Sequence, residues 1–210
     1  MNPRLSCARL LAAAAMMLAA MAANADIRVF TDQAAFNAAT TNRGVDNYDD
    51  LPFYFIESPL ARSAGSYSYF ASSTGLFGAG ATGDVWLSNV TTDQAILFSG
   101  FSGGASAFGG NFFGTDNAGL YLENTNMSLT ASASDGSTLT FTINNTATTS
   151  FLGFVSDSAL TSVSLNSLGE YWPTANNLTL AMAAPVPEPA SYAMLLGGVA
   201  LLGAARRSRR

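Results

Sequence analysis

Histidine and lysine are both missing from this chain of 210 residues, whose nine basic residues are all arginine. Without histidine there is no Ser-His-Asp triad, no imidazole general base and no histidine-ligated metal. Without lysine there is no Schiff-base chemistry and no P-loop. Cysteine occurs once, at Cys7, inside an N-terminal stretch that reads as removable; the rest of the chain has no disulfide, no thiolate nucleophile and no zinc-thiolate site. Positive charge is scarce as well. Between Asp26 and Pro189 only Arg28, Arg43 and Arg62 face all fourteen carboxylates of the chain, which leaves −11 over that stretch. The whole-chain value of −5 conceals this, because the other six arginines sit at the two ends. An acidic surface with no basic patch excludes nucleic acid, whose affinity comes from neutralised phosphates. It also disfavours an acidic polysaccharide held by charge alone, although divalent cations could bridge the two. What remains is carboxylate chemistry, as in glycosidases, or calcium coordination, and the composition reads as that of a protein without catalysis.

Both ends are written as addresses. Arg4 and Arg9 accompany the apolar run Leu10 to Ala23, and Ala23-Asn24-Ala25 is an A-x-A cleavage site, so residues 1–25 read as a Sec-type signal peptide cut between Ala25 and Asp26. No cysteine follows the apolar run, which excludes a lipoprotein signal. At the other end Val186-Pro187-Glu188-Pro189 precedes the sixteen apolar residues Ala190 to Ala205, and then Arg206-Arg207-Ser208-Arg209-Arg210. The prolines remove backbone donors and push their predecessors toward extended geometry, which leaves a stiff, accessible peptide. The apolar run would be about 24 Å long as a helix, slightly short of a typical span. Its Gly197, Gly198 and Gly203 are tolerated in membrane helices, and the terminal arginines fix their own side as cytoplasmic.

This tripartite tail resembles the PEP-CTERM sorting signal of Gram-negative surface proteins. The resemblance covers about the last 25 residues and rests on Val186, Pro187, Glu188 and Pro189, the glycine-containing helix, and Arg206, Arg207, Arg209 and Arg210. It implies recognition and cutting by a membrane protease-transpeptidase, an exosortase, in bacteria that make extracellular polysaccharide. The plainer alternative is a C-terminal membrane anchor with an incidental proline linker.

The 164 residues from Asp26 to Pro189 suffice for one domain with a hydrophobic core. Ile27–Thr31 predicts a short strand, and Asp32–Ala39 an alanine-rich helix capped by Asp32 or Thr31. Beyond it the texture is β. Met127–Ala133 and Leu139–Ile143 alternate strictly, which turns Met127, Leu129, Ala131 and Ala133, and Leu139, Phe141 and Ile143, inward. The intervening Asp135-Gly136 suits a type I′ hairpin. Further strands are predicted at 66–70, 85–88, 95–98, 105–113, 119–123, 151–155, 161–168 and 178–182. One-sided alternation over about ten short strands predicts an all-β fold, an antiparallel β-sandwich of jelly-roll or lectin-like type with one short N-terminal helix. The expected domains are 1–25 signal peptide, 26–183 sandwich and 184–210 sorting signal with its transmembrane helix. Segments from Ala107 to Asp116, Ser134 to Ser137, Phe151 to Asp157 and Thr161 to Leu165 also resemble the lectin-like ectodomain common among PEP-CTERM proteins. Where such domains often carry an Asp-Asn pair before the last strand, this chain has Asn176-Asn177, which weakens a carboxylate metal site there.

Several constellations invite a chemical reading. Gly78-Ala79-Gly80-Ala81-Thr82-Gly83 satisfies G-x-G-x-x-G, but Asp84–Ser88 after it reads as a strand where a dinucleotide site needs a helix; a flexible loop is expected. Gly103-Gly104 and Gly109-Gly110 read as bulges or tight turns. Asp46, Asp49 and Asp50 form the densest oxygen cluster, a candidate calcium site or else an acidic loop without the EF-hand glycine and closing glutamate. Asp116-Asn117 is a weaker candidate of the same kind. Among the aromatics, Trp86, Tyr171 and Trp172 are candidate glycan contacts, since consecutive aromatics in a strand cannot both face inward; the ordinary role of such residues is core packing. The reading is an exported protein, transiently held in the inner membrane, then delivered to the cell surface or extracellular matrix in association with exopolysaccharide. A carbohydrate-binding module is the alternative, and a carboxylate-dependent glycosidase the third.

Overall fold

The computed structural model describes residues 26–185. Within them two antiparallel sheets face each other. The larger runs in the order β1 (Ile27–Phe30), β13 (Phe151–Ser156), β9 (Ala107–Thr115), β15 (Trp172–Ala183), β7 (Asp84–Asn89), β6 (Leu76–Ala81) and β3 (Phe55–Ile56). Beside this path β10 (Tyr121–Leu122) pairs with β9, and β2 (Thr40–Asp46) pairs with β15. The smaller sheet runs β12 (Thr138–Thr146), β11 (Thr125–Ala133), β14 (Leu160–Ser167), β8 (Ile96–Ser99), β5 (Tyr67–Ser72) and β4 (Leu60–Ala64). The chain crosses repeatedly between sheets, from β7 through β8 to β9 and from β13 through β14 to β15. This is the expected antiparallel sandwich.

Period-two alternation supplies the core. In β11 Met127, Leu129, Ala131 and Ala133 point inward, as their spacing requires. They meet Phe108, Phe112 and Phe154 of the larger sheet in one continuous cluster. Phe108 is its hub, 5.3 Å from the Phe98 ring and 6.0 Å from a stacked Phe112. Leu139, Phe141 and Ile143 of β12 face the same way, but they are only half-buried because β12 is the outermost strand of its sheet.

The helix, α1 (Gln33–Ala38), begins where its cap predicts: the Asp32 carboxylate accepts the Ala35 N–H at 2.7 Å. α1 lies on the outer face of the larger sheet and sinks Phe36 against Phe151, the ring centroids 5.3 Å apart. That seat exists because Gly109 and Gly153 oppose each other across β9 and β13. A Cβ at Gly153 would lie 2.4 Å from the Phe36 ring. The Gly109-Gly110 pair is thus mid-strand and not a tight turn, and it lies opposite a bulge in β15, where the register shifts between Asn176 and Thr179.

Two further expectations are corrected. Gly78–Ala81 belongs to β6, which turns through Thr82-Gly83 directly into β7, where a flexible loop was expected. Glycine is accepted in that strand because a neighbour lies so close: a Cβ at Gly78 would stand 2.2 Å from the Pro52 carbonyl oxygen. The β11–β12 hairpin is not type I′. Gly136 has φ +89° while Asp135 keeps a negative φ, and the Gly136 N–H donates to Ala133 O at 3.1 Å. That is a type I turn followed by a left-handed glycine, a three-residue loop. The Asp135 carboxylate selects it by accepting the Ser137 N–H at 2.9 Å.

Backbones of the two sheets come into direct contact where β2 passes the β4–β5 turn. A Cβ at Gly44 would fall 2.0 Å from the Ala64 carbonyl oxygen. Gly44→Ala is therefore expected to force the two backbones apart and cost about 1–3 kcal/mol. A lowered denaturant midpoint with an unchanged slope is the measurement that checks it.

Candidate functional site

The acidic stretch after β2 resolves into an ion-pair network. Asp46 is buried, and Arg62 of β4 grips it with Nε–Oδ2 at 2.8 Å and Nη2–Oδ1 at 2.5 Å. The other side of the same guanidinium holds Asp50, with Nη1–Oδ2 at 2.8 Å and Nη2–Oδ1 at 2.6 Å. The Tyr69 hydroxyl donates to Asp46 Oδ2 at 2.7 Å, and the Tyr48 hydroxyl stands 2.9 Å from that of Tyr69. Tyr48 adopts φ 63°, a left-handed conformation costly for an aromatic residue. Its N–H donates to Asp46 Oδ1 at 3.2 Å, and its ring lies 5.5 Å from the guanidinium.

This corrects the calcium reading of Asp46, Asp49 and Asp50. Arg62, 16 residues beyond Asp46, supplies the positive charge that a metal would have supplied. Asp49 turns elsewhere, its Oδ1 accepting the Val85 N–H at 3.2 Å and its Oδ2 the Asn47 amide at 2.5 Å. Among the described residues no group of three or more carboxylates is arranged to hold a metal ion. The electrostatics follow from the geometry. Burial opposes the Arg62 charge, but the hydrogen bonds that it donates to Asp46 and Asp50 outweigh this and hold the guanidinium protonated. Hydrogen bonding from Arg62 holds the Asp50 carboxyl below its ordinary range. Burial pushes the Tyr48 and Tyr69 hydroxyls up, so both stay neutral.

Of the aromatic candidates, Trp86 and Trp172 lie on the outer face of the larger sheet, whereas Tyr171 packs against the core between the sheets. Trp86 is only 8% exposed, which closes it to the ring-face contact proposed from sequence. Its indole packs edge-on against Phe113 at 4.9 Å and its N–H donates to Asp84 at 2.9 Å. Tyr171 is a tether: its hydroxyl accepts the Asn126 N–H at 2.7 Å and donates to the Asn126 carbonyl at 3.0 Å. Asn176 and Asn177 sit at a bulge in β15, where Asn177 has φ 51°. There the Asn176 amide donates to Asp84 at 3.1 Å and the Asn177 amide to Asn111 at 3.2 Å.

Trp172 has a different setting. It is half-buried at the start of β15 and forms one wall of a cleft of ≈ 190 Å³ shared with Phe77, Ser88, Asn89, Asp116 and Asn117. Beneath it Ser88, Thr115 and Thr174 close a ring of hydroxyls 2.9 to 3.3 Å apart, joining β7, β9 and β15. Asp116 organises the opposite rim by accepting the Ala118 and Leu120 N–H groups, both at 2.9 Å through Oδ1. The cleft thus combines aromatic side chains, a carboxylate, amides and the Ser88 hydroxyl. Asp116 is the single carboxylate among its lining residues. Of the sequence candidates, Trp172 and Asp116-Asn117 meet in this cleft, as Asp46 and Asp50 meet on Arg62. The proximity of Trp172 to Asp116-Asn117 was not visible in a sequence that separates them by more than fifty positions.

Val186, Pro187, Glu188, Pro189, Arg206, Arg207, Arg209 and Arg210 lie outside the described residues, as does Ala25 on the N-terminal side of the expected cut; Asp26 is described.

Two outcomes follow from the network. Arg62→Met strands a buried carboxylate and is expected to cost about 3–5 kcal/mol, read from the urea unfolding midpoint. Asp50 has a folded pKa below its unfolded one. Its contribution is therefore full above about pH 4 and is lost as pH falls through the lower folded value. Because Asp50 is exposed, Asp50→Asn should cost under about 1 kcal/mol at neutral pH. The same substitution should flatten the acid limb of stability against pH, measured by thermal melts between pH 2 and pH 7.

Comparison with known proteins adds one assignment. No curated protein matches the chain. A solved family 6 carbohydrate-binding module, whose binding sub-sites were dissected by crystallography and calorimetry, aligns with 12% identity and a TM-score of 0.33 over 69% of this chain and 95% of that one. Residues 185–210 match the family described as the PEP-CTERM protein-sorting motif. The chain carries a PEP-CTERM protein-sorting motif in its last 26 residues, and that motif marks it for export and exosortase-dependent processing toward the cell surface.

Proposed function

We propose that this protein is an exosortase substrate whose β-sandwich serves, after processing, as a non-catalytic surface or matrix component associated with exopolysaccharide. The observation that carries this reading is the position of the motif. β15 ends at Ala183, the Ala184 N–H makes a last backbone bond to Ala39 O at 2.8 Å, and the motif begins at residue 185. A cut near Pro189 would remove no strand pairing among the described residues. Glu188 and its flanking prolines are the recognition peptide, the apolar run is a transient inner-membrane hold, and Arg206–Arg210 set its orientation. Glu188→Ala, or deletion of Arg206–Arg210, is expected to leave unprocessed precursor in the inner membrane. Intact mass of the surface-recovered protein checks this: the wild type should begin at Asp26 and end near Pro189. Normal surface delivery of both variants would refute it.

The Trp172 cleft favours a second reading, a carbohydrate-binding module. An indole face beside amide, carboxylate and hydroxyl groups matches the alternating apolar faces and hydroxyl edges of a neutral sugar. A single lining carboxylate does not supply the pair that glycoside hydrolysis uses. Trp172→Ala is expected to weaken binding to the host's own polysaccharide at least tenfold in affinity electrophoresis, while Trp86→Ala lowers stability. Equal retardation of wild type and Trp172→Ala would remove the cleft from the reading.

A further inference from the structure

Among the described residues six strands pair on one side only, and they are not alike. β1 has four residues and carries Arg28, β3 and β10 have two each, β4 has five, and β2 has seven and carries an exposed Arg43. Short edges and charged side chains are the usual protection against pairing with another chain. β12 has neither. It is nine residues long, Thr-Leu-Thr-Phe-Thr-Ile-Asn-Asn-Thr, with no charge, no proline and no glycine. It pairs with β11 on one side, and no described strand pairs with the other.

Its pattern is also self-complementary. The regular stretch runs from Thr138 to Asn144, before Asn145 turns to φ 51°. A two-fold axis at Phe141 would set Phe141 against its own copy, Leu139 against Ile143, Thr140 against Thr142 and Thr138 against Asn144. Every apolar residue then meets an apolar residue on the core-facing side. Every threonine meets threonine or asparagine on the outer side. The protein already uses this pairing internally, where Thr130 and Thr140 hydroxyls stand 2.8 Å apart between β11 and β12. Leu139, Phe141 and Ile143, half-buried in one copy, would be covered by the second. The neutral strand also lets two strongly acidic domains approach without like charges at the contact.

We propose that β12 is a homotypic docking edge, through which a second copy of this chain pairs antiparallel about Phe141 and joins two six-stranded sheets into one. This does not depend on any sugar contact, and it gives a matrix component a way to link to itself. The contact is isologous, so it closes as a dimer.

The test is sedimentation velocity on the processed protein recovered from its host, across a dilution series. The wild type is expected to sediment as a dimer that dissociates on dilution. Thr140→Lys with Thr142→Lys places like charges directly opposite, and that variant should be monomeric, as should the variant with Glu at both positions. Far-UV circular dichroism should show both still folded. Mixing the two in equal amounts should restore a dimer, which a folding defect could not do. Wild type that stays monomeric at every concentration, or variants that remain dimeric, would overturn the proposal.

Discussion

A single guanidinium holds the two layers in register. Arg62 projects from β4 of the smaller sheet and closes on Asp46 at the end of β2 in the larger one. A buried carboxylate without such a partner would be strongly unfavourable, so the pair is as much a requirement as a gain. The hydroxyls of Tyr69 and Tyr48 extend the same network into the core, and the left-handed turn at Tyr48 is held by Asp46 itself. Of the three arginines among the described residues, one is committed to this single join. The close pass of Gly44 beside Ala64 is the steric counterpart of that electrostatic contact.

The larger sheet is unusual in being covered on both faces. Its inner face meets the smaller sheet, and its outer face carries Phe36 of α1 at one end and the Trp86–Phe113 pair at the other. Between them lie asparagines and hydroxyls that bond one another across strands. β9 is accordingly buried along its whole length, polar residues included. Trp172 lies at the margin of this covered region, where the β9–β10 loop and the start of β15 leave a cleft.

Legibility in the sequence tracked how local each determinant is. β11 and β12 could be read because period-two alternation is a property of neighbouring residues, and α1 because its cap lies three residues from its partner. β6 does not read as a strand because its Gly78 answers to Pro52 and its Gly80 to Asp84 and Trp86, which the local pattern cannot show. β2, with Thr-Thr-Asn-Arg-Gly, has no alternation to read and exists because β15 pairs with it. The acidic cluster was visible as a cluster, but its meaning depended on an arginine from another strand. The aromatics were visible too, while their exposure was decided by packing: Trp86 is enclosed, Tyr171 is tied to Asn126, and Trp172 remains half-open. The sorting tail was the most legible part, because a peptide read by another protein must be encoded linearly.

β15 is the longest strand of the larger sheet and one of its innermost. It pairs with β9 over most of its length, and with β7 and β2 in turn on its other side. It is also the strand that leads into the tail. If the processed C-terminus is fastened to a larger structure, any pull on the molecule enters through an interior strand and must shear three ladders of hydrogen bonds together. A tail leaving from β1 or β12 would instead let tension peel the sheet from its edge one bond at a time. A molecule fastened by that end would be held where its fold can carry load.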